Sequence, residues 1–357
     1  IFTAVAVIGS FYAMKSVPLD AIPDLSDTQV IVYSRWDRSP DIIEDQVTYP
    51  IVTSLLGTPK VKDIRAFSDF GFSYVYVIFE DGTDIYWART RVLEYLSKIL
   101  PKLPEGVKTE LGPDATGVGW VYQYALVDKS GKNDLQELRS YQDWNLRYQL
   151  QSVAGVAEVA SIGGFQKQYQ VNIDPNRLLA YNIPIGDVVE GIRNGNNDVG
   201  GRLLELSGNE YMVRGRGYAK SVKDIESIVV GTDKKGTPVL IRNIASVVMG
   251  PDMRRGLSDL DGIGDAVGGI VVMRSGENAL NVINRVKEKI VDIKPYLPEG
   301  VEIVETYDRS VLIKNAIGTV KKLLIKEMIV VSIIILIFLW HIPSAIIPIV
   351  TIPISVL

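Results

Sequence analysis

The chain has 357 residues, 47% hydrophobic and 22% charged, with 38 Lys and Arg against 42 Asp and Glu, a single His and no Cys. This composition excludes a disordered chain, and the length allows two or three domains. Within these residues the lack of cysteine excludes disulfides, zinc-thiolate and iron-sulfur sites and a cysteine nucleophile, while the mildly acidic balance leaves no electrostatic footprint for nucleic acid.

Residues 1–13 are almost unbroken apolar sequence. They are too few to cross a bilayer, and no basic leader or small-residue cleavage pattern precedes Lys15. They therefore read as the end of a transmembrane helix, 1–16, with a signal-peptide core as the less favoured alternative. Residues 30–33 read as a strand. Ser39-Pro40, a cap and first-turn pair, opens a helix that ends near Gly57, and residues 61–67 and 75–79 follow as strands. Ile85, Ala88, Val92, Leu96 and Ile99 have the 3-4-4-3 spacing of a helix that lays one face on a sheet. Leu103-Pro104-Glu105-Gly106-Val107 then turns into a further strand.

The pattern recurs. Residues 121–127 read as a strand, 134–150 as a helix, 156–162 and 270–273 as strands, and Ala279, Val282, Val286, Ile290 and Ile293 repeat the helical stripe. Leu297-Pro298-Glu299-Gly300-Val301 lies 194 positions after the first copy of that pentapeptide. Each copy is βαββαβ, the split βαβ or ferredoxin-like plan, with helices on one face of a mixed sheet. The second copy carries roughly a hundred extra residues between Ile162 and Asp265, rich in turn signals such as Asp174-Pro175-Asn176, Asn194-Gly195-Asn196-Asn197 and Gly200-Gly201. A hairpin is expected within 208–217. Such an insertion serves contacts outside the fold or is a plain surface loop.

Residues 328–357 are apolar apart from a few Ser, Thr, Pro and His341. As one helix they would span roughly 45 Å against a hydrocarbon core of ~30 Å, so two spans are expected, broken near His341-Ile342-Pro343-Ser344. The fold class is thus α+β: two ferredoxin-like βαββαβ subdomains, an inserted subdomain in the second, and transmembrane helices on either side.

Catalytic and metal motifs fail one by one. Asp259-Leu260-Asp261-Gly262 resembles the opening of a calcium loop, but Ile270 stands where a bidentate Glu is required. The glycines at 262, 264, 268 and 269 precede a strand and not a helix, so they offer no phosphate cradle. His341 lies in the apolar terminal region, which leaves no Ser-His-Asp set in the large domain. Asp24 and Asp27 sit in a turn and read as a solvated pair. Met253 differs: it lies in Gly250-Pro251-Asp252-Met253-Arg254-Arg255-Gly256, outside any core stripe, and its thioether is a soft ligand that selects Cu(I) or Ag(I) over hard divalent ions. Filling an irregular gap is its structural alternative. Met249 and Met273 lie in β-like apolar runs and read as core.

Further motifs carry a resemblance. They are Val17-Pro18-Leu19-Asp20-Ala21-Ile22-Pro23-Asp24-Leu25-Ser26-Asp27, Gln46-Val47-Thr48-Tyr49-Pro50 and Tyr74-Val75-Tyr76-Val77-Ile78-Phe79-Glu80-Asp81-Gly82-Thr83-Asp84. To these are added Gly112-Pro113-Asp114-Ala115-Thr116-Gly117-Val118-Gly119-Trp120 and Tyr307-Asp308-Arg309-Ser310. With the segment order, they resemble, over essentially the whole chain, the N-terminal half of a resistance-nodulation-division (RND) pump, heavy-metal branch, copper/silver type.

The resemblance implies a proton-driven homotrimer of the bacterial inner membrane, exporting Cu(I) or Ag(I) with a periplasmic adaptor and an outer-membrane channel as partners. It implies no cofactor, no enzyme activity and no nucleic-acid partner. Residues 17–320 would be periplasmic: 17–115 as porter subdomain 1, 116–164 with 263–318 as porter subdomain 2, and 165–262 as an inserted docking subdomain. Residues 319–341 would be the second transmembrane helix and 342–357 the start of the third. Met253 would be a metal contact, in a relay whose main methionines and proton-relay acids belong to a later part of the pump. The alternatives are a divalent zinc/cobalt/cadmium exporter of the same family and, in a different class, a membrane-anchored periplasmic sensor.

Overall fold

The computed structural model describes residue 9 and residues 20–233, 236–253 and 256–356. The expected end of a first transmembrane helix at 1–16 lies outside these residues, apart from Gly9. The chain divides into two compact units, one of residues 1–133, 141–162 and 258–357 and one of residues 134–140 and 163–257.

The chain enters β1 (Gln29–Arg35), then a helical run made of α1 (Pro40–Ile43), a π turn (Glu44–Thr48) and α2 (Tyr49–Leu55). Ser39 stands at the cap with Pro40 in the first turn, as its sequence suggests, but its side chain makes no capping bond to the helix backbone. It bonds the Asp41 carboxyl instead and helps hold that group below the usual carboxylate range. Next come β2 (Val61–Asp69), β3 (Phe72–Phe79), α3 (Ile85–Ile99) and β4 (Lys108–Leu111). The sheet order is β2-β3-β1-β4, with antiparallel neighbours. Asp84 caps α3 by accepting from the Trp87 N–H at 2.7 Å. Ala88, Val92 and Leu96 of the predicted stripe are buried, with Ile85 and Ile99 at its margins, against Val30, Val32, Val75, Val77 and Phe79 of the sheet.

β5 (Trp120–Asp128), α4 (Leu135–Tyr141), a second π turn (Gln142–Leu146), α5 (Arg147–Gln151) and β6 (Val156–Gly163) follow. Each π turn brings a polar side chain into the interior. Thr48 donates to Ser73 at 2.7 Å, and Gln142 accepts from the Tyr124 hydroxyl at 2.8 Å. These side chains are satisfied, so they fix the helix–sheet register without leaving a buried polar group unpaired.

The second unit holds β7 (Lys167–Ile173), α6 (Pro175–Tyr181), α7 (Ile185–Gly195), β8 (Val199–Leu206), β9 (Asn209–Gly215), α8 (Val222–Glu226), β10 (Val229–Thr232), β11 (Pro238–Leu240), α9 (Ile241–Ile244) and β12 (Ala245–Pro251). Its strands pair two by two, β7 with β12, β8 with β9 and β10 with β11. Ile183, Val188, Val230, Ile241, Ile244 and Val247 belong to its core. Three readings of this segment are corrected here. Asp174-Pro175-Asn176 is a helix start, where Asp174 accepts from the Asn176 N–H at 2.9 Å and Pro175 occupies the first turn. The hairpin folds back at Ser207-Gly208, both with positive φ, and is built from β8 and β9 instead of lying within 208–217. Gly200 and Gly201 are strand residues, not a turn; a Cβ on Gly201 would lie 2.5 Å from the Val213 carbonyl oxygen, so glycine admits the close pairing.

The first unit resumes with β13 (Val267–Met273), α10 (Ala279–Ile293), β14 (Val301–Asp308), α11 (Arg309–Leu339) and α12 (Ile342–Val356). The sheet order is β14-β5-β13-β6, the same arrangement as in the first sheet once strands are counted within each copy. The two pentapeptides occupy like surroundings. Val107 N–H donates to Pro104 O at 3.3 Å and Val301 N–H to Pro298 O at 3.0 Å, with Gly106 and Gly300 in the left-handed region at φ 88° and 81°.

The expected span at 319–341 is part of a longer helix, because α11 begins at Arg309. Lys321, Lys322, Lys326 and Glu327 leave an apolar run of only residues 328–339, about 18 Å of helix. Among the described residues no helix is long and apolar enough to cross a membrane. The chain breaks at Trp340-His341, with Trp340 left-handed at φ 42°, before His341 pairs with the Ser344 hydroxyl at 2.8 Å.

Candidate functional site

Met253 follows the end of β12 and is 72% exposed. The strand end beneath it is anchored: Gln170 donates to the Pro251 carbonyl at 2.8 Å, and the Asp252 N–H donates to Gln166 O at 2.9 Å. The Met253 N–H donates to the Asp252 carboxyl at 2.7 Å. Its thioether is thus presented to solvent on a fixed support, not used to fill a gap. Met249 also departs from expectation, being exposed on β12, whereas Met273 is buried in β13. Among the described residues no group of three or more His, Asp or Glu could hold a metal ion.

A second constellation sits where the linker 112–119 joins the two sheets of the first unit. At one end the Gly112 N–H donates to Ile31 O of β1 at 2.7 Å; at the other, Gly119 O accepts from the Met273 N–H of β13 at 2.7 Å. Asp114, between them, accepts from the Tyr86 hydroxyl at 3.0 Å and lies 3.7 Å from Arg274. The Arg309 guanidinium reaches Asp20, Ile22 and Val118. Asp24 is the neighbouring carboxyl. Its partial burial opposes ionisation, but hydrogen bonds from Thr116 and Ser26 and the nearby Arg309 charge outweigh it and hold the group below the usual carboxylate range.

One residue before Arg309, Asp308 caps α11 by accepting from the Ser310 N–H at 2.8 Å. Lys287 of α10 lies 2.5 Å from Asp308 and 3.0 Å from Glu305. Burial works against ionisation of Asp308, and the bonds from Lys287 and Ser310 more than compensate, lowering its pKa. Burial likewise opposes the charge on Lys287, and the two carboxylates overcome it, raising its pKa. Tyr122 is pushed up by burial and by Glu305. These groups form no nucleophile–base pair; they hold segments together by charge. Asp20 and Arg309 fall in motifs that carry the family resemblance, but no spacing in the sequence pairs residues 289 positions apart.

Two sheets of one topology, linked through a charged joint to a long helix with an apolar end, form a duplicated α+β unit. The pattern of the family described as "ACR_tran: AcrB/AcrD/AcrF family" matches residues 1–357, and the chain belongs to that family. It is 53% identical over 345 residues to "Cation efflux system protein CusA" of Escherichia coli (strain K12) and 51% identical over 345 residues to "Putative cation efflux system protein SilA" of Salmonella typhimurium. Each match takes in 96% of this chain and 33% of the relative. Identity to "Cation efflux system protein CzcA" of Alcaligenes sp. (strain CT14) is 39% over 354 residues, 97% of this chain and 33% of that one. A solved structure described as "X-ray crystal structure of a heavy metal efflux pump, crystal form II" superposes with a TM-score of 0.91 at 34% identity, over 99% of this chain and 35% of that chain. The chain therefore spans about a third of the length of these relatives, less than the half that its segment order suggests. The relatives are efflux proteins, not enzymes, and the family membership sets aside the sensor reading.

Proposed function

We propose that the chain is the N-terminal part of a proton-driven RND pump of the bacterial inner membrane that exports Cu(I) or Ag(I) through a complex with a periplasmic adaptor and an outer-membrane channel. The observation that carries this reading is the superposition of 99% of the chain on a heavy metal efflux pump. Residues 17–115 act as one porter subdomain, 116–164 with 263–318 as the second, and 165–262 as the docking subdomain. Two sheet-based bodies joined by a short linker can rock against each other and open or close a cleft. Residues 328–339 expose a continuous apolar surface, which lipid or neighbouring helices would cover, as expected if 319–341 and 342–357 lie in the membrane and 1–16 ends a preceding helix.

The β8–β9 hairpin supports the homotrimer, because Leu203, Leu204, Leu206, Tyr211, Met212 and Val213 are all exposed on it. A second copy of the protein is the occupant we assign to that ribbon. For the cargo, the exposed thioether of Met253 favours a monovalent soft ion. So does the higher identity to the CusA and SilA proteins than to the CzcA protein. The divalent alternative is favoured by relatives such as "Cobalt-zinc-cadmium resistance protein CzcA" of Cupriavidus metallidurans, 39% identical over 354 residues.

The test is ion movement by the full-length protein in proteoliposomes with an imposed proton gradient. Export of Ag(I) or Cu(I), with little movement of Zn(II), Co(II) or Cd(II), is expected. The reverse preference selects the divalent reading, and no movement of any of these ions overturns both.

A further inference from the structure

Among the described residues Arg309 is the only charged residue in the buried set, at 1% exposure. Its Nε donates to Asp20 Oδ1 at 3.0 Å, and its Nη2 lies 2.9 Å from Asp20 Oδ2. Nη2 also donates to Ile22 O at 3.3 Å, and Nη1 donates to Val118 O. Segments separated by 191 to 289 residues in the chain thus meet on one guanidinium. An apolar side chain could fill the Arg309 space without desolvating a charge, so burying this guanidinium against a partly exposed carboxylate is a poor choice for stability alone. What it supplies is direction. All three guanidinium nitrogens and both carboxylate oxygens are engaged, and the bidentate geometry fixes angle as well as distance.

The position of this pair in the fold gives that rigidity a use. Arg309 is the first residue of α11, its neighbour Asp308 is tied to α10 through Lys287, and Val118 belongs to the linker between the sheets. A displacement of α11 therefore reaches residues 20–22, α10 and the linker at once. A pair that opened in every cycle would leave the Arg309 guanidinium in the interior without its counter-charge, although Asp20, 26% exposed, would keep access to water.

We propose that Arg309 is a positioning residue that remains paired with Asp20 throughout the transport cycle, so that residues 20–22 and the start of α11 move as one body and pass motion to the linker. This rests on the pump reading above. The test uses the full-length pump, freed of any cysteine outside this chain, which has none of its own. Spin labels on Leu25→Cys and Lys314→Cys, both exposed positions, report the distance across the joint with and without proton gradient and metal. One distance, unchanged between conditions, is expected. In Arg309→Met and Asp20→Asn the distance distribution should broaden, and the maximal export rate should fall roughly tenfold with the half-saturating metal concentration unchanged, while Arg309→Lys recovers part of the rate. A distance that shifts with the gradient in the unsubstituted pump overturns the proposal, as does wild-type export by Arg309→Met. If the unsubstituted pump exports no metal the cargo reading fails, and if Arg309→Met does not insert its rates are lost. In either case the distance in the unsubstituted protein decides alone: constant supports the joint, shifting overturns it.

Discussion

Lys287 and Asp308 are joined at 2.5 Å across the base of the second sheet, one on α10 and the other capping α11. Lys287 is 37% exposed, whereas Asp308 is nearly buried. Solvent screens the lysine end, so removing it costs less than a fully buried pair would. Lys287→Met should lower stability by about 1 kcal/mol, because Asp308 retains its Ser310 bonds but loses its cation. The purified protein should melt at a lower temperature, and an unchanged melt would show that Ser310 alone sustains the cap.

The same pair sets a pH dependence. The folded pKa of Asp308 is lowered, so its contribution is complete above the unfolded carboxylate value near ~3.9 and is lost as pH falls through the folded value. The folded pKa of Lys287 is raised, so its contribution is complete below ~10.4 and is lost as pH rises through the folded value. Melting temperature measured against pH should therefore lose part of its acid limb in Asp308→Asn. An identical acid limb would assign it to other carboxylates.

The internal repeat predicts unequal costs at matched positions. Leu96 is buried in the first sheet, while its counterpart Ile290, 194 positions on, is only partly buried. Leu96→Ala should cost about 2–5 kcal/mol, and Ile290→Ala about 1–2 kcal/mol. Equal losses in thermal melts would mean that α10 is packed as deeply at this position as α3.

The elements that the sequence made legible are those whose pattern is local. The stripes of α3 and α10 and the two pentapeptide turns are visible because a helical period and a left-handed glycine leave a signature within a few residues. Hairpin strand β8 was obscured because Gly200 and Gly201, which signal a turn in sequence, serve close strand pairing in the fold. Asp174-Pro175 is ambiguous for a related reason, since the same pair opens turns and helices. The Arg309 joint depends on tertiary convergence of residues far apart in the chain. Met253 is legible as an exception to the core pattern, while Met249 shares a face with buried Ala245 and Val247 and yet is exposed, because burial along β12 stops following the alternation after Val247.

Gly201→Ala should disrupt the hairpin, since its new Cβ would meet the Val213 carbonyl at 2.5 Å, whereas Gly200→Ala should be tolerated because nothing lies within 4 Å of that position. Neither residue belongs to the core of the second unit. If the hairpin joins copies of the protein, Gly201→Ala should weaken the trimer in size-exclusion chromatography with light scattering while leaving the far-ultraviolet spectrum near that of the parent. A stable trimer in Gly201→Ala would assign the ribbon to another partner.

Met253→Leu separates ligand chemistry from packing. The substitution keeps an apolar side chain of similar volume and removes only the sulfur, and at an exposed position it should change stability by no more than about 0.5 kcal/mol. If the thioether is a transient contact for Cu(I) or Ag(I), cells relying on the full-length pump should lose resistance to those ions at unchanged protein level. Met273→Leu is the counterpart: it removes a buried sulfur from β13, so it should cost less than about 1.5 kcal/mol and leave resistance at the parental level. Parental resistance in Met253→Leu as well as in Met273→Leu would place the Met253 sulfur outside the ion's path.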